Sequence, residues 1–182
     1  MLNNNRIKEA ESSMKGYLNE GLIKKDPLDE NALKVLMENA RESLLSAEKL
    51  NSENISELWV IVCSYYAMFY TANAVLRKLG YKVGEKIAHK VTADALIVYA
   101  RQKLKDSLIE DYENTKEEAT SLAGLKADSL IESFDFEKNK RSKIQYTTDK
   151  IEKKGKAQTS LERAKEFIEE MRKFLTEKGK TR

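Results

Sequence analysis

Arg141 stands where an apolar side chain is due. A helix over about residues 125–146 carries Ala127, Leu130, Ile131 and Phe134 on its inward stripe. At about 100° per residue, Arg141 falls within about 20° of both Leu130 and Phe134. A guanidinium on a core stripe must be paired, sit at a bundle end, or face an anion. The alternative is that the helix has left the core and Arg141 snorkels to water. Around it the chain is densely basic. From Lys138 to Lys156 there are eight Lys or Arg, with Lys138, Lys140 and Lys143 nearest to Arg141, against two acids, Asp149 and Glu152. Eight against two is a local charge of +6, twice the +3 of the whole chain. Tyr146 adds a stacking face and a hydroxyl. Basic residues interleaved with an aromatic suit single-stranded RNA or a nucleotide phosphate, although a solvated lysine loop has the same composition.

Other chemistries find less material. One cysteine (Cys63) and one histidine (His89) cannot assemble a zinc site. A di-iron bundle needs Glu-x-x-His twice, whereas Lys86 stands three before His89. No metal or cofactor is therefore expected. Cys63 reads as a small buried hydrophobe, and a lone cysteine favours an intracellular, cytoplasmic setting. There is no Gly-rich phosphate loop, no Ser or Cys nucleophile motif, and no telling pair of carboxylates.

The elements that must position these residues are helices. In 182 residues there are one Pro and seven Gly, where average usage gives about 9 and about 13. Sheets linked by tight turns need more of both, while the abundant Glu, Lys, Leu and Ala favour helix. The few breakers act as punctuation. They imply a first helix over residues 2–20 with Ile7, Ala10, Met14 and Tyr17 on one stripe. Asp26-Pro27 then opens a second helix as N-cap and first helical residue. Asn54 caps a third, with Glu57 completing a capping box, and Gly80 closes it. A fourth helix starts near Lys86, breaks near Asp106 and resumes through Leu122. After the helix that carries Arg141, a loop ends near Lys156, and a last helix covers residues 157–177. The expected architecture is all-α: an up-and-down bundle of four to five helices over 26–178, an extra N-terminal helix within 1–25, and a short tail at 179–182.

Leu58 to Leu76 has no charged residue, which approaches the length of a membrane span. Ser64, Tyr65, Tyr66, Tyr70, Thr71 and Asn73 in its middle argue instead for a buried central helix. The N-terminal residues have no apolar run of the secretory kind.

Tyr65-Tyr66-Ala67-Met68-Phe69-Tyr70 on this helix, then Leu79-Gly80-Tyr81, then Ala88-His89-Lys90, in that order, resemble the HEPN (higher eukaryotes and prokaryotes nucleotide-binding) domain over about residues 31–177. Small prokaryotic stand-alone members are the nearest likeness. The resemblance implies a dimeric helical bundle that engages RNA or nucleotides. Many members are metal-independent ribonucleases with an Arg-x4-6-His site composed across the dimer, and several are toxins paired with a small nucleotidyltransferase antitoxin. Here Arg141 is followed five residues later by Tyr146, so the pattern is Arg-x4-Tyr. A tyrosine of pKa about 10 is a poor general base at neutral pH, while Arg141 retains the capacity to hold a phosphate. The resemblance therefore implies a nucleotide- or RNA-binding module that is non-catalytic, with Arg141, Tyr146, Lys138, Lys140, Lys143 and the loop histidine His89 as candidate contacts. A degenerate ribonuclease toxin using Arg141 with Tyr146 or His89 is one alternative, and a plain helical interaction scaffold is another.

Residues five apart on a straight helix point about 140° apart, so Arg141 and Tyr146 of one chain do not converge easily. Two antiparallel copies at a twofold axis remove that difficulty. The expected outcome is a homodimer in sedimentation at micromolar concentration; a monomer there would count against a site shared between two chains.

Overall fold

The computed structural model describes residues 3–123 and 150–176. In chain order these form α1 (Asn4–Asn19), β1 (Ile23–Lys25), α2 (Glu30–Ser52), α3 (Glu57–Lys78), β2 (Tyr81–Val83) and α4 (Ala88–Ala95). A π-helical turn (Leu96–Ala100) and a 3-10 turn (Arg101–Lys103) lead into α5 (Asp106–Ala123), and α6 covers Lys150–Thr176. The helix that carries Arg141 and Tyr146 in the sequence reading lies outside the described residues.

The uncharged run becomes α3, which is long and apolar enough to cross a membrane by length and composition, with 67% of its most apolar window buried. Its neighbours α2, α5 and α6 cover it. Val60, Ile61, Tyr65, Met68, Ala72 and Val75 of α3 share one core with Leu108 and Tyr112 of α5 and Leu161, Phe167 and Met171 of α6. Small residues let α2 lie close, as Ala40 and Ala47 are its only fully buried positions. The helix α6 runs parallel to α3. Lys78 at the end of α3 donates its ammonium to the Phe174 and Leu175 carbonyls near the end of α6, which suits the negative end of a helix. At the other end, Asn51 Nδ2 of α2 donates to Gln158 Oε1 of α6 at 3.0 Å.

The N-terminal helix is built into the bundle. Met14 and Tyr17 are buried with Ile23, Leu76, Val91 and Ala95, and Ala10 with Ile97 and Ile109. Its expected stripe is thus the buried one, with Ile7 half-buried at the edge.

Several boundaries differ from the sequence reading. Residues 23–25 and 81–83 pair as a two-stranded antiparallel sheet, Ile23 opposite Val83. Asp26 continues that pairing, its N–H donating to the Gly80 carbonyl at 3.0 Å, and its carboxylate takes Arg77 Nη1 at 2.7 Å. It is therefore unavailable as a cap, and Asp29 caps α2 by accepting from the Asn31 and Ala32 N–H groups. Asn54 ends α2 instead of starting α3. Its φ of 51° is left-handed, which asparagine tolerates, and the Ser56 hydroxyl caps α3. The helix α6 begins at Lys150, seven residues before the expected 157. Lysine, glutamate and isoleucine carry it, and the exposed Gly155 costs only about 1 kcal/mol against Ala in such a position. The break near Asp106 is present, with α5 starting there.

Two glycines should respond in opposite senses to one substitution. Gly80 has a φ of +84°, so Gly80→Ala should lower unfolding stability in urea by about 1 kcal/mol or more. Gly155 is helical, and nothing lies within 4 Å of the position its Cβ would take. Gly155→Ala should raise stability by about 0.5–1 kcal/mol.

Candidate functional site

Asp94 projects from α4 among buried Thr92, Ala93, Ala95 and Leu96, and it is itself 2% exposed. A carboxylate so placed must be paired. The N-terminal helix supplies the partners: Arg6 Nη2 lies 2.6 Å from Asp94 Oδ1, and Tyr17 Oη donates to Oδ2 at 2.9 Å. Arg6 also reaches α5, with Nε donating to Glu113 Oε1 at 2.8 Å and Nη2 2.7 Å from it. One guanidinium thus ties three helices. Burial opposes its charge, but the hydrogen bonds and fields of Asp94 and Glu113 outweigh burial and raise the Arg6 pKa above its ordinary value. Burial, reinforced by Asp94, pushes the Tyr17 phenol up to about 12, so it remains a proton donor at neutral pH. Arg6, Asp94 and Glu113 also line an open cleft of about 850 Å³, together with Ser13, Lys90 and Lys116.

His89 sits on the other side of α4, inside the bundle and 1% exposed. Tyr65 Oη and His89 Nδ1 share a hydrogen bond of 2.6 Å. The Phe69 ring lies 4.2 Å from the imidazole, centroid to centroid, and Tyr66 meets its edge at 5.7 Å. Tyr112, fully buried beside Tyr65, has its phenol pushed up strongly by burial. Two of the three motifs that set the sequence resemblance therefore meet in one aromatic nest. The third, Leu79-Gly80-Tyr81, turns the chain at the end of α3, where Tyr81 stacks on Tyr99 at 4.0 Å. Cys63 is half-buried, and burial pushes its thiol up, so it behaves as packing more than as a nucleophile.

Of the candidate contacts, His89 alone lies among the described residues; Arg141, Tyr146, Lys138, Lys140 and Lys143 lie outside them. Sequence reasoning missed the Arg6–Asp94–Glu113–Tyr17 network. Its members are 77 and 107 positions apart where they hydrogen-bond across elements, and only one local signal existed: an aspartate in the otherwise apolar or small run Val91 to Leu96.

A family model of the HEPN domain matches residues 33–174, which leaves out α1 and with it Arg6 and Tyr17. No curated protein and no solved structure matches the chain.

Removing Arg6 leaves Asp94 buried with one partner fewer. Arg6→Ala should cost about 3–5 kcal/mol in urea unfolding, and much less in an Asp94→Ala background, as a double-mutant cycle would show. A phenol whose folded pKa lies above its unfolded value contributes stability that is complete below the unfolded pKa and is lost as pH rises through the folded one. Tyr17 and Tyr99, both pushed up to about 12 by burial first, should therefore make stability fall between about pH 10 and 12. Tyr17→Phe should flatten part of that fall.

Proposed function

The chain belongs to the HEPN domain family, and on that premise we propose that it is a non-catalytic binding module for RNA or a nucleotide. Arg141, Tyr146, Lys138, Lys140 and Lys143 supply the contacts in this reading. It acts in the cytoplasm as a homodimer, with a small nucleotidyltransferase as partner in a toxin–antitoxin-like pair.

One observation carries the absence of catalysis: within a family whose ribonucleases use Arg-x4-6-His, this sequence has tyrosine at the histidine position. The sole histidine offers no ready substitute, because His89 is 1% exposed and bonded to Tyr65. A general base must come within about 3 Å of the proton it takes. The +6 charge from Lys138 to Lys156 supports phosphate binding by counterion release. Arg141 adds a planar fork matched to phosphate oxygens.

Labelled single-stranded RNA incubated with the protein in EDTA tests the reading. Binding should be salt-sensitive, leave the RNA intact, and weaken about tenfold or more in Arg141→Ala, with a smaller loss in Tyr146→Phe. Cleavage that resists EDTA and vanishes in Arg141→Ala would overturn it in favour of a ribonuclease. No binding of RNA or of free nucleotides would leave an interaction scaffold.

A further inference from the structure

The cover over α3 is incomplete along one line. From Val60 to Leu76 every residue is buried except Cys63, Tyr66, Phe69, Tyr70 and Asn73, and Phe69 lies against the His89 ring. The other four join Trp59 before them and Arg77 after them at steps of 4, 3, 4, 3 and 4 residues, which is one face of a helix. Trp59, the only tryptophan of the chain, is 54% exposed at the start of this stripe. Arg77 ends it five full turns and about 27 Å later, with its Nη1 held by Asp26 at 2.7 Å. Around α3 its neighbours α2, α6, α5 and α4 follow one another, each in contact with the next. The stripe is the gap left between α4 and α2. On the α4 side, Asn73 Nδ2 donates to Thr92 Oγ1 at 3.2 Å. On the other side, Glu48 of α2 pairs with Lys165 of α6 at 2.8 Å, so the opposite flank of α2 borders the gap. Val35, Asn39, Ser43, Ser46 and Leu50 lie within about 40° of the line opposite Glu48, and Val35 is 55% exposed. In a chain with 35% charged residues, these two adjoining stripes hold no charge except Arg77.

We propose that this face is where a second copy of the chain docks, with α3 lying antiparallel on its symmetry mate and α2 on the partner's α2. The proposal rests on the homodimer of the reading above and gives that dimer a surface apart from Arg141 and Tyr146. An uncharged face offers no grip to phosphates, and it meets its own copy without like-charge repulsion. Two helices packed about 8–10 Å apart make it about 27 Å long and about 20 Å wide, which with side-chain relief approaches the roughly 800 Å² per partner of a stable interface. The spacing of the α3 stripe reads the same from both ends, as a twofold contact requires. An axis between Tyr66 and Tyr70 sets Tyr66 level with the partner's Tyr70 and Cys63 level with the partner's Asn73. It also brings Trp59 level with the partner's Arg77 on the facing stripe, a cation beside an indole. Aromatic residues at the centre and charge at the margin are the composition of interface cores.

Sedimentation of the full chain should show a dimer at micromolar concentration, and its Trp59 emission should shift to the red on dilution. Val35→Glu and Trp59→Lys change exposed residues that one chain does not need in order to fold. Each should raise the dimer dissociation constant about a hundredfold or more, because a twofold contact buries every introduced charge twice. Trp59→Glu, which meets the partner's Arg77 with the opposite sign, should raise it about tenfold less than Trp59→Lys. Leu45 is 49% exposed on α2 but lies about 120° from the stripe, so Leu45→Glu should keep the parent affinity. Circular dichroism identical to the parent confirms that the variants fold. A parent that is a monomer at micromolar concentration overturns the proposal together with the homodimer reading. A dimer that survives Val35→Glu and Trp59→Lys overturns the proposal alone and leaves the homodimer to another surface. Equal losses in Trp59→Lys and Trp59→Glu overturn the antiparallel pairing and the proposal with it. A monomeric parent whose Trp59 emission shifts to the blue on phosphatidylcholine vesicles would assign the face to a membrane and overturn the proposal as well.

Discussion

Nineteen consecutive uncharged residues impose the central constraint on this molecule. A helix made from them cannot face water on any broad side, and its interior hydroxyls and rings need partners once water is excluded. The bundle answers both demands in most places. Three helices cover α3, Thr71 donates to the Ala67 carbonyl at 2.8 Å, Asn73 to the Phe69 carbonyl at 2.9 Å, and Tyr65 pairs with His89, while the buried Ser64 hydroxyl has no hydrogen-bond partner among the described residues. The same residues whose order resembles a family are the ones that satisfy α3. Two of the three stretches that carry the likeness thus owe their place to packing around α3.

A second demand is electrostatic. Placing Asp94 among apolar neighbours commits the fold to supplying a cation, and the guanidinium that pairs with it comes from the helix outside the family's matched region. Arg6 makes α1 part of the folded unit, together with the burial of Met14 and Tyr17. The desolvation cost of such a pair is high, so its return lies as much in fixing how α1 sits as in net stability. The strand pair performs a similar office at the other end of α1, where Arg77 and Asp26 join the end of α3 to the segment before α2.

Periodicity and breakers made the helices legible before any coordinates, because burial stripes repeat at 3.6 residues and Gly80 and the Asp106 break interrupt them. What stayed illegible depended on partners distant in sequence. Asp26 reads as a cap until Gly80 and Arg77 claim its N–H and its carboxylate. Asn54 reads as the start of a helix until its left-handed backbone makes it the end of another. Three-residue strands with exposed Lys24, Lys25 and Lys82 show no alternation long enough to detect. For the candidate site, His89 stood out in the sequence as a candidate contact and its burial against Tyr65 and Phe69 did not, whereas Arg6 and Asp94 carried no shared pattern. The exposed Trp59 was counted with an apolar helix, since periodicity cannot tell which apolar residue of a covered helix is left at its rim.

The π turn at Leu96–Ala100 has a different kind of consequence. There the Arg101 N–H reaches back to the Leu96 carbonyl, so the segment winds one residue more than an α-helix would per closed ring. That surplus residue works as slack between two gears. It allows α4 to keep Asp94 turned toward α1, while Ile97 and Ala100 stay buried and α5 begins in its own angular phase to present Tyr112 to the core. With the 3-10 turn that follows and the extended backbone of Leu104 (φ −125°, ψ 155°), it separates the rotation of α5 from that of α4.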